Sequence, residues 1–176
     1  MDAYDCIITK LDLRVFDSAR EVPADAKLRI LEAARSTGSA MNSQHWRFIL
    51  VEDRNRLKKL GEDSTTGQWI SNSNFAVIVL TEEKHSFHLI DAGRVVQDMQ
   101  LAAWNQSIVS CIYTGVDQNA LRRDFNVPGN MVASVIVGFG YPAKKVSGRH
   151  KKRKLLHELV SKETFGRTFD SDNLTA

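Results

Sequence analysis

Side chains with the types and spacing to do chemistry gather at three places. The first is "KLDLRVF", where Lys10, Asp12 and Arg14 alternate. In an extended segment that alternation puts all three side chains on one face. The second is "GSAMNSQHW", Gly38 to Trp46, which packs Ser39, Asn42, Ser43, Gln44 and His45 into one short link. A turn needs only one or two such hydrogen-bonding groups. A loop that holds a polar ligand would use them all, and an ordinary polar loop is the alternative. The third is a basic run, Lys144, Lys145, Arg149, Lys151, Lys152, Arg153 and Lys154. It reads as a solvated loop, a nucleic-acid contact or the holder of a phosphate-bearing ligand. Arginine offers a fork matched to phosphate oxygens, and lysine adds a point charge. Aromatic residues do not interleave with the run, which weighs against nucleic acid.

Other chemistries lack their signatures. The chain has no G-x-S-x-G and no G-x-x-x-x-G-K. "GFGYPA" stands at the end of an apolar run with a proline following, not at a helix start, so it does not read as a dinucleotide fingerprint. His85 and His88 have no third ligand at metal-binding spacing, and no metal is expected. The 176 residues favour one domain over 1–176, and a net charge of +3 is too small to argue for nucleic acid. Two cysteines, Cys6 and Cys111, make no disulfide framework. With no long apolar run for a membrane, the expected setting is the cytoplasm.

Around these sites the pattern predicts a helix over 1–9, an extended stretch over 10–22, and a helix opened by Pro23 and carrying Leu28, Leu31 and Ala34 on its buried stripe. "WRFILVE" predicts a strand and "DRNRLKKLGE" a helix. "FAVIVLT", residues 75–81, predicts a strand buried on both faces. The strongest helix covers 86–106, with Leu89, Ala92, Val96, Met99 and Ala103 at helical steps. "IVSCIYTG" and "MVASVIVGFGYP" predict strands, "DQNALRRDFN" a helix between them, and 155–162 a last short helix. Interspersed helices and strands make the class α/β or α+β, a central sheet covered by helices.

Six motifs in order together resemble the FMN-dependent nitroreductase family, from residue 4 to residue 165. "KLDLRVF" stands where the family has "RRSxRxF", and "EAARSTGSAMNSQHWRF" is similar to "EAARWAPSxxNxQPWxF". "GQWISNSNFAVIVL" resembles "WIxxAPVVIVV". "DAGRVVQDMQLAAWNQSIVSC" resembles the family's central helix, "VGFGYPA" its "VGYPA", and "KKRKLLHELV" its "RxRKPLEEVV".

The resemblance implies an α+β fold with a mixed central sheet flanked by helices, working as a homodimer with FMN at the subunit interface. It places Lys10 and Arg14 at the FMN phosphate and flavin ring. Asp12 falls where the family has a serine that hydrogen-bonds the cofactor, and Leu11 lies in the same cofactor-binding motif. Ser39, Asn42 and Gln44 fall in the loop that closes over the flavin, mainly from the partner subunit. Thr114 and Gly115 present backbone to the flavin edge, and Lys151 and Arg153 hold the phosphate. Asp12, standing where a carboxylate would repel a phosphate, is expected to pair with Arg14 or another basic neighbour. Gly38 and His45 replace two prolines of the pattern. The chain lacks the long insertion that often lids the family's substrate pocket, so an open pocket is expected. The implied activity is transfer of a hydride from NAD(P)H, through FMN, to a nitroaromatic, quinone or similar small-molecule electron acceptor. No side chain is needed as acid or base. The rival implications are a specialised relative (reductive dehalogenase, flavin-cleaving or ring-oxidising enzyme) and a flavin or nucleotide binder without turnover.

Overall fold

In the computed structural model, which describes residues 1–146 and 151–170, the sheet is built around the most apolar strand. The order of elements is α1 (Ala3–Thr9), α2 (Ala24–Ser36), β1 (Arg47–Val51), α3 (Arg54–Glu62), β2 (Phe75–Thr81), α4 (His88–Trp104), β3 (Val109–Tyr113), α5 (Gln118–Phe125), β4 (Val132–Gly140) and α6 (Leu156–Leu159). Short 3-10 turns lie at Ala40–Asn42 and Gln68–Asn72. The strands run in the order β1-β2-β4-β3, and every pair is antiparallel. The parallel component is a single bridge, Asp12 to Ser110, which lays the extended "KLDLRVF" segment along the β3 edge.

Every residue of β2 is buried. Phe75, Val77 and Val79 face one layer, which includes Ile30 and Ala34 of α2 and Val95, Met99 and Ala103 of α4. Ala76, Ile78 and Leu80 face the other, with Leu57 and Leu60 of α3 and Leu121 and Phe125 of α5. A strand covered on both faces has no polar side to show, which is why the run reads as continuously apolar.

The long helix α4 spans His88–Trp104, within the expected 86–106, and four of its five expected stripe residues are buried. Ala92, Val95, Val96, Met99 and Ala103 are buried, whereas Leu89 is exposed. In α2 the buried residues are Ala26, Ile30 and Ala34; Leu28 is exposed and Leu31 only partly covered. Leu28 and Leu89 depart from the expectation, since periodicity alone does not say which of two adjacent apolar stripes meets the core. A smaller cluster, Cys6, Phe16, Trp104 and Val109, pins the N-terminal segment to α4 and β3. Trp104 Nε1 adds a 2.9 Å hydrogen bond to Thr9 Oγ1. Arg149 of the basic run lies outside the described residues. Among the described residues no helix is long and apolar enough to cross a membrane.

Candidate functional site

Residues 7–12 and 151–153 meet beside α4. A cavity of about 380 Å³ is lined by Ile7, Lys10, Leu11, Asp12, Gln97, Lys151 and Arg153. Lys10 reaches it from just past the C-terminus of α1. The isolated bridge at Asp12 sets the strand direction there, and α4 supplies Gln97. Lys151 is tied down by its Nζ, which donates to the carbonyl of Ile7 at 2.7 Å. Thus two segments some 140 residues apart bring three cations and one carboxylate to one cavity.

Asp12 is spoken for within this cluster. Lys10 Nζ donates to Asp12 Oδ1 at 3.0 Å and to Gln100 Oε1 at 2.8 Å. Gln100 Nε2 donates to the same Asp12 oxygen at 2.8 Å and to Ser110 Oγ at 3.0 Å. Lys10 is 8% exposed. A buried ammonium needs a partner, and Asp12 with Gln100 supplies it. The expected partner of Asp12 was a basic neighbour or Arg14, and it is Lys10. The crowding acts on Lys151 too: burial, then the charges of Arg153 and Lys10, hold its ammonium below the ordinary lysine value, while Asp12 pulls the other way.

Arg14 does not share these partners, so the expected single face for Lys10, Asp12 and Arg14 is divided. Arg14 Nε lies 3.4 Å from Cys111 Sγ, and its guanidinium sits 5.7 Å from the Trp69 ring centre. It lines a neighbouring hollow of about 390 Å³ with Leu11, Leu13, Lys144 and Lys145. Leu11 borders both hollows. The Cys111 contact raises the pKa of Arg14 further above the usual guanidinium range.

A third hollow of about 290 Å³ continues on the other side, and Gln97 borders both it and the basic cavity. Leu89, Ala92, Gly93, Val96, Ile112 and Thr114 make most of its wall. Nothing stands within 4 Å of where a Cβ on Gly93 would be, so the helix backbone is open to close approach there. Thr114 faces this hollow, but Gly115 turns inward. Its carbonyl accepts from Thr65 N at 2.8 Å, and a Cβ would collide with the side chains of Thr65 and Thr66.

The polar loop is held elsewhere, at the N-terminal end of α4. Asp91, 1% exposed, is its anchor. Asp91 Oδ2 accepts from Ala40 N at 3.1 Å and lies 3.3 Å from His45 Nε2, while Arg94 Nη1 donates to Oδ1 at 3.4 Å. His45 packs on the rings of His85 and Phe87, 4.9 and 5.7 Å away. Ser39 Oγ accepts from Gln44 N at 3.0 Å, and Gln44 Nε2 donates to Asn42 Oδ1 at 3.1 Å. Met41, Asn42 and Gln44 all have φ near +50°. That left-handed backbone costs a non-glycine residue about 1–2 kcal/mol. It presents Met41 to solvent at 85% exposure. Ser39, Asn42 and Gln44 line none of the three hollows.

Several participants escaped the sequence reading. Gln97 and Gln100, three apart in an apolar helix, were the available signal for a polar face on α4. Asp91 gave only the weak signal of an acid in a first helical turn, and Ser110 and Trp69 gave none. His88, weighed as a metal ligand, has its Nδ1 2.8 Å from Thr81 Oγ1.

An antiparallel sheet between helical layers, with linked hollows along its β3 edge and a cationic cavity among them, defines the class of protein. Family comparison gives the rest. The model of the nitroreductase family matches residues 12–82 and 66–141. A protein of Archaeoglobus fulgidus named "Putative NADH dehydrogenase/NAD(P)H nitroreductase" is 34% identical over 147 residues, 77% of this chain and 83% of that one. One of the same name from Methanothermobacter thermautotrophicus is 30% identical over 158 residues, 85% of this chain and 82% of that one. Among solved structures, an "FMN-dependent Nitroreductase" from Clostridium difficile R20291 superposes with a TM-score of 0.83 at 21% identity, covering 92% of this chain and 99% of that one. The chain belongs to the nitroreductase family.

Proposed function

We propose that the whole chain is one FMN-binding unit of a cytoplasmic homodimer that transfers a hydride from NAD(P)H, through FMN, to a nitroaromatic, quinone or similar electron-poor acceptor. The observation that carries this reading is the cationic cavity of Lys10, Lys151 and Arg153 flanked by two largely apolar hollows. The donor set fits the group: a phosphate dianion takes charge-assisted hydrogen bonds from lysine and arginine, and a flat ring takes apolar walls. Lys10, Lys151 and Arg153 hold the phosphate. Leu11 and Asp12 border it, and Thr114 stands at the ring edge, with Gly115 fixing the backbone behind it through its bond from Thr65 N. Arg14 provides a fixed cation beside the ring.

FMN held there would supply the two-electron redox chemistry. The chain's own residues bind and orient it. A preorganised cation at Arg14 favours the more negative, reduced form without any proton being moved by a side chain. Open hollows at the sheet edge let NAD(P)H and the acceptor use the same place in turn.

The homodimer reading is supported by what one chain leaves unfinished. Leu89 and Ile90 on α4 and Leu155, Leu156, Leu159 and Phe165 near the C-terminus are exposed large apolar residues. Clusters of this kind mark association surfaces. Ser39, Asn42 and Gln44 then belong to the flavin site of the other subunit.

The purified protein is expected to be yellow, or to turn so with FMN, with a blue absorbance band that bleaches under NADH or NADPH. The band should return when a nitroaromatic or quinone is added. Protein that takes up no FMN overturns the reading; protein that binds FMN but bleaches with neither nucleotide is a binder without turnover. Sedimentation should give about twice the 19.8 kDa chain mass.

A further inference from the structure

We infer that Asp12 is a specificity-determining residue that reduces the chain's preference for the phosphorylated flavin over the unphosphorylated one. The inference rests on the reading of the basic cavity as the FMN phosphate site.

The cavity holds three cationic side chains, but they are not equally available. Lys10 spends two of its three donors on Asp12 and Gln100, at 3.0 and 2.8 Å. Its charge is offset by a carboxylate in direct contact, where opposite charges cancel most of each other's field at longer range. Gln100 accepts from Lys10 too, but a neutral amide does not offset the lysine's charge. Lys151 spends one donor on the carbonyl of Ile7. What remains for a phosphate is the charge of Lys151 and Arg153, with Lys10 largely neutralised.

Asp12 also meets the ligand itself. Its side chain is 52% exposed, whereas that of Lys10 is 9% exposed. Both line the cavity, and the carboxylate is the more open of the two to a ligand. Ionised, it can only accept hydrogen bonds. It attracts hydroxyl donors of a ribityl chain and repels phosphate oxygens, which are acceptors too. Both ligands carry the hydroxyls, and only FMN carries the phosphate. The carboxylate thus acts on the difference between them.

The test is titration of the ligand-free protein with FMN and with riboflavin, followed by flavin fluorescence, for the wild type, Asp12→Asn, Asp12→Ser and Arg153→Ala. Asp12→Asn removes the charge and keeps an oxygen for Lys10 and Gln100, so it guards against a folding defect in Asp12→Ser. Both Asp12 variants are expected to raise the ratio of FMN to riboflavin affinity about tenfold, which is about 1.4 kcal/mol. Arg153→Ala should lower that ratio by a similar factor or more. If Arg153→Ala lowers the ratio and neither Asp12 variant raises it, the inference about Asp12 is overturned while the phosphate site stands. If Arg153→Ala leaves the ratio unchanged, the cavity does not hold the phosphate, and both readings fall.

Discussion

The middle and the N-terminal end of α4 each carry a polar cluster, and the two clusters serve different tasks. Near the middle of the helix, Gln97 lines a cavity whose charged groups are gathered within one chain, and Gln100 bonds two of those groups, Lys10 and Asp12, from behind. At its N-terminal end, Asp91 is a carboxylate at the centre of a hydrogen-bonded cluster, but a buried one, and the loop it holds shows Asn42 and Gln44 outward. The difference separates two tasks. Exposed charge with a partner nearby is ready for a ligand. Buried charge with every partner in the chain is structural, and it fixes a loop for use by another surface. The chain's own departures from the family pattern follow the same division. Gly38 leaves room for the Arg94 guanidinium, since a Cβ there would come within 2.7 Å of Arg94 Nη2, and His45 reaches Asp91. Both former proline positions serve the anchor.

If that division holds, Asp91→Ala should show the largest effect, and it should be on stability. Ala40 N–H and His45 Nε2 would lose a buried partner, at about 1–3 kcal/mol for each unpaired group. We expect a loss of about 2–4 kcal/mol in urea denaturation. A loss below 0.5 kcal/mol would mean that the loop is held by something other than Asp91.

Arg153→Ala should do the reverse, leaving stability within about 0.5 kcal/mol because the residue is exposed. FMN binding should weaken by roughly ten- to a hundredfold, the worth of a charge-assisted contact of about 1.5–3 kcal/mol. Lys145→Ala, in the neighbouring hollow, should change it little. Equal, small effects from both would return the basic run to a solvated loop.

Arg14→Leu tests the second hollow. Loss of the cation should lower the midpoint potential of bound FMN by a few tens of millivolts and slow its reduction by NAD(P)H. Asp12→Ser should leave that potential nearly unchanged, because Asp12 is bonded to Lys10 and not to Arg14. A large rise in the Asp12 variant would tie the two hollows electrostatically.

The smallest effect is in pH. Lys151 is held below the ordinary lysine value of 10.5 in the ligand-free protein. As pH climbs towards 10.5, the folded protein gives up this proton before the unfolded chain does. Stability contributed by this group therefore rises over that window, since the unfolded state binds more protons. FMN affinity should fall over the same window as the cation is lost. Lys151→Arg should remove the fall, because a guanidinium stays charged. Titrations from pH 8 upward compare the two, and an unchanged fall in the arginine variant would assign it to another group.

Much of the architecture was legible because it is written in local pattern. The continuous run Phe75–Thr81 suggested a doubly covered strand and is one, and the four strands and long helix follow from runs and turns of ordinary kinds. The basic run and the alternation of Lys10, Asp12 and Arg14 singled out residues of which Lys10, Asp12, Lys151 and Arg153 come to line one cavity. Their partners were not legible. That Asp12 meets Lys10 and Gln100, and that Arg14 turns to Cys111, depends on how the N-terminal segment lies against β3 and α4. No spacing in the sequence encodes that. The left-handed backbone at Met41, Asn42 and Gln44 was hidden too, since no glycine marks it. So the sequence by itself determined the elements, the residue types at each site and the family they resemble. Only the tertiary structure decided which charges meet: periodicity is a property of neighbours along the chain, whereas a cavity closed by residues 10 and 151 is a property of packing.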